Sequence, residues 1–370
     1  MHERENSERQ SEGFPTTAAK ISPIWLRQRL VGAGVIDAGV SIASFSHESI
    51  GTGQVGDTAR LTIEYDRPGA GPKTIAAKFA SSDESSRATA VMLEVYRKEV
   101  SFYRHLASSL ETRTPQVYAS EIAGDGSEFV LLFEDLGPAR GGNQLVGCTL
   151  DEARLGIIQA ASIHAPTMND PSLAKAPWLQ QVEGFAEKLV AIYPHAHAAF
   201  VQRYEGALEP ELMAVCNALA RLSQGFFGQT ASERSVCHGD FRLDNMLFDA
   251  RGGRDPIAIV DWQTVAFDCP LRDIGYFLGC GIGSSLRRPH EEELLDLYCQ
   301  EMSRRGVQMT RSAIWDRYRL GALNGVATAV FSAAFTERTE RGDANFLSMA
   351  RNACELALDH DSIGALKSIL

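Results

Sequence analysis

Three costly polar residues stand among apolar neighbours between Val236 and Asp268: Asp240 in "HGDFRLDN", Asn245 at the head of "NMLF" and Asp261 at the tail of "IAIV". A carboxylate buried without compensation is strongly destabilising, so residues in such settings are paired or hold a metal. The segments "NMLFD" and "IAIVD" flank the turn-rich "ARGGRDP", and pairing them antiparallel sets Asn245 opposite Asp261. An amide and a carboxylate on neighbouring backbones are a seat for a hard cation, which prefers oxygen ligands. Each residue alone is also common in caps and turns. The D-x-x-x-x-N spacing followed by a strand-end Asp is what sets the group apart.

A second set lies upstream. Gly51, Gly53 and Gly56 in "IGTGQVGD" make G-x-G-x-x-G, a weak signal by itself. A dinucleotide fingerprint would open a helix, but here the alternating "ARLTIEYD" follows, so the glycines cap a hairpin. Backbone N–H groups at such a tip suit phosphate oxygens. Lys78 stands as the one charge in "TIAAKFA", where an ammonium needs an anion or a path to solvent. On the following helix, stepping about 100° per residue gathers Val91, Val95, Phe102 and Leu106 on one face. Glu99 falls inside that apolar stripe and is the expected partner of Lys78. Glu94 falls on the opposite face with Arg97, Lys98 and Ser101.

The elements that must position these groups divide the chain in two. Ser22 and Pro23 open a short helix. Strand patterns follow at "VSIASFSHESI", "ARLTIEYD" and "KTIAAKFA", then a helix over about Ala88 to Leu110, then the apolar strand "EFVLLFEDL". A loop with Pro138, Gly141, Gly142 and Gly147 leads to a capping box at Thr149 and Glu152, opening a helix to about His164. Beyond it the chain reads as mostly helical. The expected organisation is a tail over 1–20 without fixed structure, a strand-rich lobe over 21–136 and a helical lobe over 137–370.

Composition bounds the function classes. With 370 residues, 44% hydrophobic and 22% charged, the chain fits a soluble globular protein of two domains. A net charge of −11 argues against general nucleic-acid or anionic-membrane binding. Seven cysteines without a CxxC pair fit reduced thiols and a cytoplasmic location. The first twenty residues lack the apolar core of a signal peptide. The run Leu320 to Thr336 is shorter than the roughly 20 residues of a membrane span and reads as a buried helix. No motif for a serine hydrolase or a zinc site is present.

Together these residues resemble the protein-kinase-like fold, and within it the aminoglycoside phosphotransferase/choline kinase superfamily. His238-Gly239-Asp240 reads HGD where protein kinases read HRD, and Asp261-Trp262-Gln263 stands where they have DFG, with no APE segment after it. "HGDFRLDNMLF" with "DCPLRDIGYFL" looks like the broad branch near the ecdysteroid-kinase-like and acyl-CoA-dehydrogenase-fused members. The motifs run from about Gly51 to Asp273 and leave the last 95 or so residues uncovered. The resemblance implies an α+β, two-lobed fold, with a small antiparallel-sheet N-lobe and a larger mainly helical C-lobe. It implies ATP and Mg²⁺ as cofactors and a small-molecule hydroxyl as phosphate acceptor. Asp240 would accept or orient the hydroxyl proton, and Asn245 and Asp261 would hold Mg²⁺. Gly51, Gly53 and Gly56 would cover the phosphates. Lys78, steadied by Glu99, would grip them, and the backbone of Glu134 to Leu136 would meet the adenine. A nucleotide-binding protein without catalysis is the rival reading, with a protein kinase behind it. The sequence leaves the acceptor, ATP against GTP, the oligomeric state and the roles of Arg242 and Asp244 open. His164 reads as a core histidine buttressing the catalytic loop, and Asp268 and Asp273 as its braces.

Overall fold

The computed structural model describes residues 13–51, 55–180, 184–336 and 338–370. Gly53 and the first twelve residues of the expected tail lie outside these. The tail's remainder is a correction: Ala18–Lys20 form a 3-10 turn, and Phe14 and Ala18 pack on the first core. The chain falls into two compact units, one up to Ser108 together with Pro115–Leu136, the other Ser109–Thr114 with Gly137–Leu370.

The first unit is built on an antiparallel sheet of five strands. These are β1 (Ile42–Ile50), β2 (Gly56–Tyr65), β3 (Thr74–Ala80), β4 (Val117–Ile122) and β5 (Phe129–Glu134), in the order β1-β2-β3-β5-β4. Alternation along the strands sorts side chains onto two faces. Leu61, Ile63, Ile75, Ala77, Phe79, Val130 and Leu132 form one core with Trp25, Leu26 and Leu30 of helix α1 (Pro23–Gly32). The opposite parity carries Lys78 and its ladder partner Leu131, with Phe129 and Phe133. Helix α3 (Val95–His105) covers that second face, with the Tyr96 ring tilted against Phe129 at 4.6 Å and Tyr103 edge-on to Phe133 at 4.7 Å.

The helix expected over about Ala88 to Leu110 is two. Helix α2 (Glu84–Met92) ends, Glu94 takes a left-handed φ of 56°, and α3 restarts behind it. Angular stepping across the break does not hold, so the inward stripe of α3 comprises Tyr96, Glu99, Val100, Phe102 and Tyr103. α2 buries only Ala90, so little packing ties it to the direction of α3.

The second unit opens with β6 (Arg140–Gly141) and helix α4 (Leu150–His164), which starts on the expected Thr149–Glu152 capping box. Two small sheets then frame the loop that carries Asp240. β7 (Ser235–Cys237) pairs with β10 (Ala266–Asp268), and β6, β8 (Met246–Asp249) and β9 (Asp255–Ile259) form the other, ordered β6-β8-β9. The helices Phe185–Tyr204, Pro210–Arg221, Arg311–Phe335 and Glu340–Asp359 enclose the larger core around Phe200, Leu219, Val326 and Val330. Leu320 to Thr336 thus belongs to a buried helix and its C-cap. Among the described residues no helix is long and apolar enough to cross a membrane.

Candidate active site

In the first unit, Lys78 is 9% exposed and Glu99 1%, and they meet at 2.8 Å. Sheet parity aims Lys78 at α3, and the register of α3 turns Glu99 toward it. Each fixes the other's rotamer. Tyr96 ties the glycine hairpin to the same framework, its hydroxyl donating to Val55 O at 2.6 Å and accepting from Ser81 N at 3.0 Å. Gly51 follows β1 with φ 78°, a conformation a side chain resists, and Gly56 opens β2 opposite Ala80. Gly51 and Gly56 therefore stand at the two strand ends of a β-hairpin. At the end of β5 the Glu134 amide donates to Gln116 O at 2.8 Å, so that N–H is already committed within the unit. Leu136, two residues on, is buried. Arg60 bridges Asp135 at 2.7 Å, a contact that no sequence pattern announced.

In the second unit the loop that carries Asp240 hangs from Asp273. Its two carboxylate oxygens accept the amides of His238 at 2.6 Å and Gly239 at 3.0 Å. Gly239 has φ 83°, and a Cβ there would lie 2.4 Å from Thr264 O, so only glycine fits. His238 accepts the Asp240 amide at Nδ1 (3.3 Å), which makes Nε2 the protonated nitrogen, donating to Val260 O at 3.0 Å. His164 lies with Nε2 3.3 Å from Asp273 and Nδ1 3.0 Å from the Tyr298 hydroxyl, the buttress expected of it. His164, Cys237 and Asp273 have metal-ligand spacing, but the Asp273 oxygens are spent on backbone amides, so this is a brace.

Asp240 itself is held from three sides. Tyr276 donates to Oδ1 at 2.8 Å, Asn245 Nδ2 to Oδ2 at 2.8 Å, and Arg242 Nε lies 3.1 Å away. Burial alone would raise this carboxyl. The Arg242 charge above all, then His238 and the Tyr276 and Asn245 hydrogen bonds, hold it below its ordinary value. Its side chain keeps 25% of its surface exposed, so the oxygens remain reachable. Burial, with the Asp240 charge, pushes the Tyr276 phenol well above its ordinary value, so it serves as a fixed donor. Arg242 also reaches Asp244 at 3.4 Å, fixing the loop.

Asn245 and Asp261 require a correction in register. Met246 pairs with Ile259, and Val260 N donates to Asn245 O, so Asn245 faces Val260 and Asp261 lies one step beyond the ladder. Strand pairing stops at Ile259 and Asp261 turns left-handed, with φ 66°. Strained backbone of this kind gathers at functional sites. The donor set fits a hard cation: the Asn245 NH₂ is spent on Asp240 O and Oδ2, both at 2.8 Å, which turns its carbonyl oxygen the other way, where it could serve as a ligand.

Residues 53–309, which hold Lys78, Glu99, Asp240, Asn245 and Asp261, match the profile of the ecdysteroid kinase-like family. The chain belongs to that family. Acyl-CoA dehydrogenase family member 11 of Gallus gallus is 23% identical over 199 residues, 45% of this chain and 24% of that protein. The Mus musculus protein of that name is 33% identical over 90 residues, 20% of this chain and 11% of its own. The match thus spans about a quarter or less of these relatives. Among solved structures, the GDP complex of aminoglycoside 2'-phosphotransferase-IIIa superposes with a TM-score of 0.54 at 15% identity, covering 90% of this chain and 99% of that one. Choline kinase from Cryptosporidium parvum gives 0.52 at 11%, covering 93% and 97%. The fold is therefore the two-lobed kinase-like phosphotransferase fold.

Sequence reasoning missed one residue in contact with Asp240, Tyr276, and left the role of another, Arg242, open. Tyr276 reads as one more aromatic in the core run "DIGYFL". Arg242 could be placed only once the loop's curvature was known.

Proposed function

We propose that this chain moves the γ-phosphoryl group of ATP to a hydroxyl of a small molecule in an Mg²⁺-dependent reaction. The acceptor oxygen forms a bond to the γ-phosphorus, the bond to the β–γ bridging oxygen breaks, ADP leaves, and the hydroxyl proton passes to the Asp240 carboxylate. Bound between Asn245 and Asp261, Mg²⁺ would neutralise charge on the phosphate oxygens. Lys78, oriented by Glu99, grips the α/β-phosphates, and the glycine hairpin from Gly51 to Gly56 supplies backbone donors. The hinge segment at Glu134 and Leu136 meets the adenine, with the Leu136 side chain as apolar flank.

The observation that carries this reading is the setting of Asp240. A carboxylate fixed by Tyr276, Asn245 and Arg242, partly open and held below its ordinary pKa, suits orientation of a hydroxyl whose proton departs late in a loose transition state. Such chemistry asks for positioning and charge neutralisation more than for a strong base. The kinase-like neighbours, one holding GDP and one a choline kinase, support nucleotide binding and a small hydroxyl acceptor.

The test is ATP consumption against a panel of aminoglycosides, choline-like amines, sugars and lipophilic alcohols, with Asp240→Asn as the control. At least one alcohol should give turnover that the variant loses. A panel in which wild type and variant behave alike would set the reading aside.

A further inference from the structure

The segment between β6 and α4 is built inside out. Leu145 is 43% exposed and Val146 82%, while Gln144 beside them is 4% exposed. Ordinary loop chemistry would do the reverse. Neither the Oε1 nor the Nε2 of Gln144 has a hydrogen-bond partner in the protein. Buried amides are nearly always satisfied, so an orphan at both ends calls for a reason.

Its place supplies one. Arg140 and Gly141 pair with Phe248 and Leu247, and Gly142 N donates to Met246 O at 2.8 Å. A Cβ at Gly142 would sit 2.1 Å from Leu243 O, so the segment presses directly on the backbone that runs from Asp240 to Asn245. Asn143 then folds the turn, its side chain accepting from Leu145 N at 2.9 Å and its carbonyl from Val146 N at 3.1 Å. Gln144 follows two residues after Gly142, so its Cα lies within about 7.6 Å of the Gly142 Cα. The turn thus holds a buried, uncharged donor and acceptor pair two residues from the point where its backbone meets Leu243.

We propose that Gln144 is a hydrogen-bonding subsite for a ligand hydroxyl at the catalytic loop. A hydroxyl both donates and accepts, which matches the Oε1 and Nε2 of one amide. The hydroxyl belongs either to the ribose of the nucleotide or to the phosphate acceptor. This rests on the phosphotransferase reading and adds to it a recognition residue that the motifs do not contain.

The experiment uses Gln144→Met, which keeps the volume and flexibility and removes the amide. Calorimetry with Mg·ATP, Mg·2'-deoxyATP and Mg·3'-deoxyATP, steady-state kinetics with the alcohol returned by the acceptor panel, and melting temperature are measured for both proteins. The melting temperature without ligand should hold or rise, since no internal bond is lost. Should the ribose be the source, the variant binds Mg·ATP about tenfold more weakly and no longer distinguishes it from one of the deoxy analogues, a loss on the scale of one hydrogen bond. Should the acceptor be the source, nucleotide affinity is unchanged and the acceptor KM rises at least about tenfold. A fall in melting temperature would show the amide bonded within the protein and overturn the proposal. Unchanged affinity for the nucleotides together with unchanged acceptor KM would also overturn it, leaving the phosphotransferase reading intact. A wild-type protein that binds no Mg·ATP and phosphorylates nothing would remove both.

Discussion

Two buried clusters of charge in the second unit are built to opposite ends. Around Asp240, three donors hold a carboxylate that keeps a quarter of its surface, and Asn245 turns its carbonyl oxygen outward from the group. Around Arg287, 1% exposed, the charges close on one another. Its guanidinium binds Glu291 at 2.8 Å and also Asp359, Glu291 accepts from Tyr318 and from His360 (2.9 Å), and Arg288 binds Asp359 at 2.9 Å. The first cluster retains acceptor capacity that a ligand can use. The second joins the helix Ser284–Arg304 to the ends of the helices Arg311–Phe335 and Glu340–Asp359, a role in stability. Similar residue types thus serve chemistry or cohesion according to whether a lone pair is left over.

The contrast can be broken by mutation. Arg287→Ala removes one side of the closed cluster and should cost about 3 kcal/mol of stability in denaturant unfolding, with Mg·ATP affinity of the folded fraction unchanged. Asp240→Asn should do the opposite, lowering turnover at least about 100-fold while melting temperature and Mg·ATP affinity stay near wild type. A swap of these two phenotypes would mean the clusters have been assigned the wrong way round.

The closed cluster also carries a pH signature. Burial would raise the Glu291 carboxyl, but hydrogen bonds from His360 and Tyr318 and the Arg287 charge hold it below its ordinary 4.5. Asp359 is likewise held below 3.8 by Arg288 and Arg287 against burial. Carboxyls depressed by folding stabilise the protein above their ordinary values, and that stability drains away as pH falls through the folded ones. The melting temperature of the wild type should therefore drop below about pH 4.5 more steeply than that of Arg287→Ala. Parallel curves for the two proteins would deny the linkage.

Smaller effects sharpen the picture. Glu99→Gln removes the buried charge facing Lys78 at 2.8 Å and should weaken Mg·ATP binding roughly tenfold, about 1.4 kcal/mol. Glu94→Gln, at the left-handed residue ahead of α3, should stay within about 0.5 kcal/mol in both stability and affinity. Thermal shift with and without Mg·ATP compares them, and equal damage from both would undo the assignment of Glu99 as the inward partner.

How much of this was legible depended on contrast with the surroundings. Lys78 in an apolar strand and Glu99 in an apolar stripe stood out, because a charge among hydrophobes needs a reason, and they meet. The same contrast marked Asp240, Asn245 and Asp261, yet their register was off by one, since nothing in "IAIVD" says that pairing stops at Ile259 and that Asp261 turns left-handed. The break at Glu94 was equally silent: a period of 3.6 residues reads through a single left-handed residue. Arg287 sits in "SSLRRPHEEELL", which looks like a solvated face, and only tertiary packing buries it. Gln144, polar in a glycine-rich loop, gave no signal for the opposite reason. A polar residue in a loop is expected outside, and its burial is a property of the folded turn.

The central claim, a Mg²⁺-dependent nucleotide site completed by Asn245 and Asp261, can be tested without knowing the acceptor. Calorimetry of ATP binding with Mg²⁺ and with EDTA, on the wild type and on Asp261→Ala, measures it directly. The account predicts that Mg²⁺ tightens ATP binding to the wild type and that Asp261→Ala loses this gain, because the Asp261 carboxylate would help to hold a cation that neutralises phosphate charge. Identical Mg²⁺-dependent affinity in the two proteins would contradict it.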